Sequence, residues 1–165
     1  MPSSPPVDAA TEITVRPLDA DDREAFADAF DRMSPASRYQ RFLGAMPRLS
    51  ESQLTYLTDV DQRDHVALAA VVDSGIVGVA RFIRLDDTEA ELAMAVVDEW
   101  RGRGLGRTLL AALVDEARSL GVTRFEATVL ADNVPMLRLL RGLGEIRSSP
   151  AGSALHVTVE LPGPR

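Results

Sequence analysis

Arg101-Gly102-Arg103-Gly104-Leu105-Gly106 stands between a strand-like apolar run over residues 92–97 and a run with helical spacing, Leu105, Leu109, Leu113, Ala117 and Leu120. A strand, a glycine turn and a helix in that order aim several unpaired backbone N–H groups at one point. Those donors, the positive end of the helix dipole and the flanking arginines together make an anion site. Each charge-assisted hydrogen bond there contributes roughly 1.5–3 kcal/mol, so a diphosphate held by several is firmly anchored. Glycine is required because a Cβ holds a ligand off the backbone and excludes positive φ. The plain alternative is a glycine-containing strand–helix turn with no ligand.

The spacing sorts the phosphate ligands. A lysine-bearing phosphate loop needs G-x-x-x-x-G-K-[ST], and no lysine follows these glycines. A dinucleotide fingerprint, G-x-G-x-x-G, fails as well, with Arg107 or Leu109 where the last glycine belongs. The pattern that fits is R-x-x-G-x-G, with Arg101, Gly104 and Gly106. It resembles the acyl-CoA diphosphate loop of the GNAT acetyltransferase superfamily.

A chain of 165 residues suits one domain with a proper core. Apolar content of 45% and charged content of 26% are those of a soluble globular protein. Charges interrupt every apolar run well short of the roughly 20 residues needed to span a bilayer, so no membrane association is expected. Residues 1–10, which open Met1-Pro2-Ser3-Ser4-Pro5-Pro6, have no basic region or apolar core. They read as a disordered tail rather than a secretory signal, and a cytoplasmic address follows by default. With no cysteine and only His65 and His156, thiolate nucleophiles are excluded and no metal site is expected. A net charge of −7 argues against a nucleic-acid surface and suits a cationic amine or a lysine-rich protein face.

The rest of the chain frames the loop. Residues 12–16 alternate like a strand, and Asp19 then caps a helix carrying Phe26, Phe30 and Met33 on one face. Ser34-Pro35 opens a second helical segment, and Ser50-Glu51-Ser52-Gln53 is a capping box for a third. Two β-rich runs, 65–72 and 76–84, flank Asp73-Ser74-Gly75, a hairpin signal. A third strand spans 90–97. After the glycine loop comes a long helix to Leu120 with a stop at Gly121, then a strand over 124–130. Asn133 caps a helix to about Leu143, terminated by Gly144, and a last strand spans 154–160.

This order of elements is that of the GNAT fold, so the resemblance covers a single domain over residues 11–162. It implies an α+β architecture: a mixed, mostly antiparallel sheet of six to seven strands with splayed central strands, flanked by helices. Within the superfamily, Ser37 to Phe42, Leu49 to Leu54, Asp61 to Ala67, Ile76 to Arg81, Ala90 to Ala93, and Asn133 with Met136-Leu137-Arg138 resemble the Pat-type protein lysine acetyltransferases. The implied cofactor is acetyl-CoA, the acyl donor. Its arm lies in the cleft between the splayed strands, against Met94, Ala95 and Val96, with Arg101, Gly102, Arg103, Gly104, Leu105, Gly106 and Arg107 at its diphosphate and Asn133 alongside.

Acyl transfer to an amine needs a base, because a free lysine amine has a pKa of about 10.4 and is almost wholly protonated at neutral pH. Without cysteine, a carboxylate is the natural candidate, and Glu91 sits early on the strand leading into the loop, amid Ala90, Leu92 and Ala93. An apolar surround there would raise its pKa towards the useful range. In Pat-like enzymes the glutamate of this Ala-Glu-x-Ala segment is the general base, so the resemblance assigns that role to Glu91. The alternative is a solvent-facing charge. The growing oxyanion needs a donor, for which the N–H of Ala95 or a neighbour is placed.

Two departures from the commoner GNAT pattern stand out. Leu140 occupies the position, seven residues after Asn133, where a tyrosine often protonates the leaving thiolate, and Glu145 stands where an aromatic is usual. Core packing is the reading adopted for Tyr39 and Tyr56; His65 reads as a surface residue without a role. The expected activity is acetyl transfer from acetyl-CoA to an amine, foremost a protein lysine such as that of an acyl-CoA synthetase, by a monomer or homodimer. The alternatives are transfer to a small amine and a non-catalytic acyl-CoA-binding module.

Overall fold

The computed structural model describes residues 12–163; the segment 1–10, read above as a tail, lies outside them. The elements are β1 (Thr14–Pro17), α1 (Arg23–Asp31), α2 (Pro35–Phe42), α3 (Glu51–Thr58), β2 (His65–Val72), β3 (Gly75–Arg84), β4 (Glu89–Val96), α4 (Leu105–Ser119), β5 (Arg124–Leu130), α5 (Val134–Arg141), β6 (Ile146–Ala151) and β7 (Ala154–Glu160). No helix among the described residues is long and apolar enough to cross a membrane.

The capping chemistry starts the helices where expected. Asp19 accepts from the Asp21 N–H while Asp22 accepts from the Asp19 N–H, at 2.8 and 2.9 Å, and a short 3-10 turn leads into α1. The hydroxyl of Ser34 takes the Ser37 N–H ahead of α2. Ser50 and Gln53 bond reciprocally ahead of α3.

All seven strands join one sheet in the order β1-β2-β3-β4-β5-β7-β6, antiparallel except for β4 and β5. The β2–β3 register brings Gly78, Ala80 and Phe82 to one face, and Gly78 lies against Leu105 and Leu109 of α4. Arg81 and Val79 take the opposite face, where Phe26 of α1 meets Arg81. The sheet is thus covered on both sides, and its core holds Phe82, Phe125, Leu109, Leu113 and Leu140 with almost no exposure. Phe82 and Phe125 stack at 5.8 Å between centroids.

One defect in the sheet positions everything that follows. β4 and β5 pair only at Glu89–Arg124, Ala90–Phe125 and Glu91–Glu126. Beyond Glu91 the strands part, although β4 runs on to Val96 and β5 to Leu130. The other edge of β4 stays paired to β3 as far as Val96 with Gly78. Residues 92–96 therefore turn alternate N–H and C=O groups into the gap with no strand to receive them.

The structure departs from the sequence reading most clearly at the end of α5 and at β6. α5 ends at Arg141, with Gly142 as its cap, rather than near Leu143. Gly144 instead takes φ +159 in the approach to β6. β6 itself went unread because only Ile146 in Ile-Arg-Ser-Ser-Pro-Ala carries a large apolar side chain. It is an exposed edge strand held by β7 through the turn at Gly152, and polar residues with a proline are what an edge tolerates.

Candidate active site

The gap between β4 and β5 opens into a cleft of about 1490 Å³. One wall is the free edge of β4, including Met94, Ala95 and Val96; the other is Ala127, Thr128 and Val129 of β5. Its end is closed by the glycine turn and the start of α4, and α2 contributes Ser37, Gln40 and Arg41.

The turn has the required shape. Gly102 and Gly104 adopt φ of +73° and +81°, in the left-handed region, with nothing within 4 Å of where a Cβ would be. Their need for glycine is conformational. Gly106 answers to a different constraint, because a Cβ there would lie 3.1 Å from a δ-carbon of Leu139 on α5. Gly104 is the N-cap of α4 and supplies no side chain, so the first amides of a 15-residue helix are not capped from within. Thr108 is the first residue of the helix whose N–H turns back to Gly104. An unblocked helix N-terminus at the end of a cleft is a site for an anion.

The structure brings Glu91, Met94, Ala95, Val96, Arg101, Gly102, Gly104, Leu105, Gly106, Arg107 and Asn133 together around this cleft. Arg103 is the exception. Its guanidinium lies 5.1 Å from the Trp100 ring centroid, and it is not part of the lining. Arg101 donates to the Gln40 side chain at 3.3 Å and so ties the turn to α2. Asn133 accepts from the Met136 N–H at 3.3 Å, which caps α5; its side-chain amide nitrogen finds no partner among the described residues. Leu140 is fully buried. It is not among the residues that line the cleft.

Glu91 is exposed, not enclosed by apolar groups as its neighbours in sequence suggested. It stands at the last paired position before the fork, with Glu126 as its register partner. It also lines a second cavity of about 480 Å³ bounded by Arg41, Phe42, Leu49, Tyr56, Arg81 and Ala93, among others. The cross-strand register explains this: Glu91 pairs with Ile83, and Ala93 with Arg81, on the sheet face that α1 and α3 cover. Burial pulls the Arg41 guanidinium down to about 10, with the charge of Glu91 acting against that shift.

Sequence reasoning missed Arg41 and Arg81, which lie in segments noted only for family likeness. It also misplaced three aromatics. Tyr39 and Tyr56 are 44% and 56% exposed, so neither is core. His65 is half-buried, touches the Arg81 guanidinium at 2.9 Å and packs near Tyr56. Burial, reinforced by Arg81, lowers its pKa to about 4. No group of His, Asp or Glu among the described residues is arranged to hold a metal ion.

Residues 24–144 match the model of the acetyltransferase (GNAT) family. The chain belongs to that family. Among GNAT proteins, it is 35% identical over 138 residues to the acetyltransferase Pat of Mycolicibacterium smegmatis, a match covering 80% of this chain and 40% of that protein. It is 32% identical over 112 residues to the acetyltransferase PA5475 of Pseudomonas aeruginosa, covering 65% of this chain and 60% of that one. The matches thus span only part of these relatives' length. The GNAT domain of the S. lividans PAT superposes with a TM-score of 0.83 at 30% identity, over 89% of each chain.

Proposed function

We propose that this GNAT domain transfers an acetyl group from acetyl-CoA to an amine, foremost the side chain of a protein lysine, with Glu91 as the general base. The observation that carries the reading is the coincidence of three features in one cleft. These are the free edge of β4, the uncapped start of α4 behind two positive-φ glycines, and a carboxylate at the fork. A protein lysine stands first among the acceptors because of the sequence resemblance to the Pat-type protein lysine acetyltransferases, with which the 35% identity to the acetyltransferase Pat is in keeping.

The N–H groups at the start of α4, with Arg101 and Arg107 beside them, hold the diphosphate of acetyl-CoA. The unpaired groups of residues 92–96 receive its amide-bearing arm as a further strand would be received. When bound, acetyl-CoA supplies an activated acyl carbon. Glu91 takes the proton from the acceptor amine as its nitrogen bonds to that carbon, directly or through one water, since its carboxylate is exposed. An N–H of β4, at Ala95 or beside it, faces the negative charge growing on the carbonyl oxygen. With Leu140 buried, no phenol from α5 protonates the departing sulfur. A thiol with a pKa of about 8.5 leaves as thiolate without that help.

The test is CoA release with a panel of acceptors that includes purified acyl-CoA synthetases, lysine peptides and small amines. Turnover of a synthetase lysine supports the reading. Turnover of free amines alone moves it to a small-molecule acetyltransferase. No release with any acceptor, together with no thermal shift on adding acetyl-CoA, removes it.

A further inference from the structure

If acetyl transfer takes place at Glu91, the second cavity lies where the body of the acceptor enters, and its charges are more than transfer requires. Arg81 is 2% exposed on β3, in the middle of the sheet's covered face. Its Nη1 donates to the Leu57 carbonyl and to His65 Nε2, each at 2.9 Å. A guanidinium can only donate, so Nε2 accepts and the ring proton sits on Nδ1. The Phe26 ring lies 5.7 Å away. Among the described residues, neither Arg81 nor Arg41 forms an ion pair. Nor do Nε and Nη2 of Arg81, or any nitrogen of Arg41, find a hydrogen-bond partner.

Those donors are not sealed in, because no buried side-chain nitrogen among the described residues lacks a partner. They open onto the cavity that both arginines line. Burial lowers Arg81 to about 9, with the charge of Arg41 adding to the effect, so two cations crowd one small space. Tying α3 to the sheet through Leu57 uses a single nitrogen. It does not account for the remaining fork or for a second arginine. Charged groups in such a space are ordinarily paired, and among the described residues no acid forms an ion pair with either guanidinium, although Glu91 lines the same cavity and its charge reaches Arg41.

We propose that this cavity is a carboxylate subsite for the acceptor: Arg81 and Arg41 hold a carboxylate of the molecule whose amine meets Glu91. Arg81 sits two residues from Ile83, the register partner of Glu91, on the same face. Such diagonal positions lie about 7–8 Å apart, which suits an amine and a carboxylate a few bonds from one another. That carboxylate belongs either to an acidic residue flanking a protein lysine or to a free amino acid.

CoA release is measured with two acceptor pairs: a peptide whose single lysine adjoins aspartate or glutamate against its asparagine or glutamine counterpart, and free amino acids against their amides. The acid member of at least one pair is favoured about tenfold or more in kcat/KM, through KM. Arg41→Gln and Arg81→Lys bring that ratio close to one. Preference within the peptide pair assigns the flanking acid; preference within the amino-acid pair assigns the free molecule. Equal use of acids and amides by the wild type, or a preference that both variants keep, overturns the subsite while leaving acetyl transfer standing. If no acceptor releases CoA, calorimetric titration with glutarate decides: binding weakened by Arg41→Gln supports the subsite, and no binding overturns it. Arg41→Gln decides should Arg81→Lys fail to fold, since the Arg41 side chain makes no hydrogen bond that the fold needs.

Discussion

Glu91 stands at the last rung shared by β4 and β5, exposed, and shares both cavities with Arg41. Removing its charge while keeping its shape isolates the proton transfer proposed for it. Glu91→Gln lowers kcat by about 10²–10⁴-fold. Acetyl-CoA affinity is kept, and stability stays within about 0.5 kcal/mol because the side chain is exposed and unpaired among the described residues. Steady-state kinetics beside a thermal melt check this; unchanged turnover would move the base elsewhere. Its place beside the cleft was legible from an Ala-Glu-x-Ala segment ahead of the glycines. Its surroundings were not. Flanking alanine and leucine suggested enclosure, but alternate residues of a strand face opposite ways, so Ala90 and Leu92 went to the core and Glu91 did not. Arg81 shows the converse, a charge that local sequence marks as half-exposed and tertiary packing buries.

At the scale of elements, α4 is held close to the sheet by missing side chains. A Cβ at Gly78 would meet Leu109 at 2.9 Å and the Ala95 carbonyl oxygen at 3.3 Å. Leu109 can rotate, but the carbonyl belongs to the backbone of β4. Gly78→Ala therefore costs about 1–3 kcal/mol in urea unfolding and shifts β4 against α4, with a matching loss of acetyl-CoA affinity. The helix starts, the β2–β3 hairpin and the strand–turn–helix unit were all readable, because caps, glycines and apolar spacing are local signals. β6 was not, since an edge strand draws its hydrogen bonds from a neighbour and needs no apolar pattern of its own. The close fit at Gly78 was equally hidden, because nothing near it in sequence tells which helix will cross it.

For the molecule as a whole, the same charge placements set the response to acid. His65 has a folded-state pKa of about 4 against an ordinary 6.5, so the unfolded chain binds the extra proton between those values. Its contribution is complete above pH 6.5 and is lost as pH falls towards 4. The expected loss is about 1–2 kcal/mol, since the ring is only half enclosed. His65→Gln loses less over that window in urea titrations at successive pH. Asp22 follows at lower pH. It is held below its ordinary 3.8 chiefly by the two-pronged hydrogen bond from Arg16, at 2.7 and 2.8 Å. Its contribution is present above 3.8 and disappears as pH drops through the lower folded value. Asp22→Asn destabilises the protein by about 1–2 kcal/mol at neutral pH, because Arg16 is partly in solvent, and flattens the steepest part of the acid limb.

The splayed sheet and the uncapped α4 have one common purpose in this account, to grip coenzyme A, the sheet by its amide-bearing arm and the helix by its diphosphate. Calorimetric titration of acetyl-CoA into the wild type and into Gly104→Val probes the helix end of that grip directly, since Val resists the φ of +81° and a Cβ there meets nothing within 4 Å outside the adjoining residues. The wild type binds one equivalent, and the variant, with its circular dichroism retained, binds about tenfold more weakly or worse. No binding by the wild type, or equal affinity in both, would contradict the account.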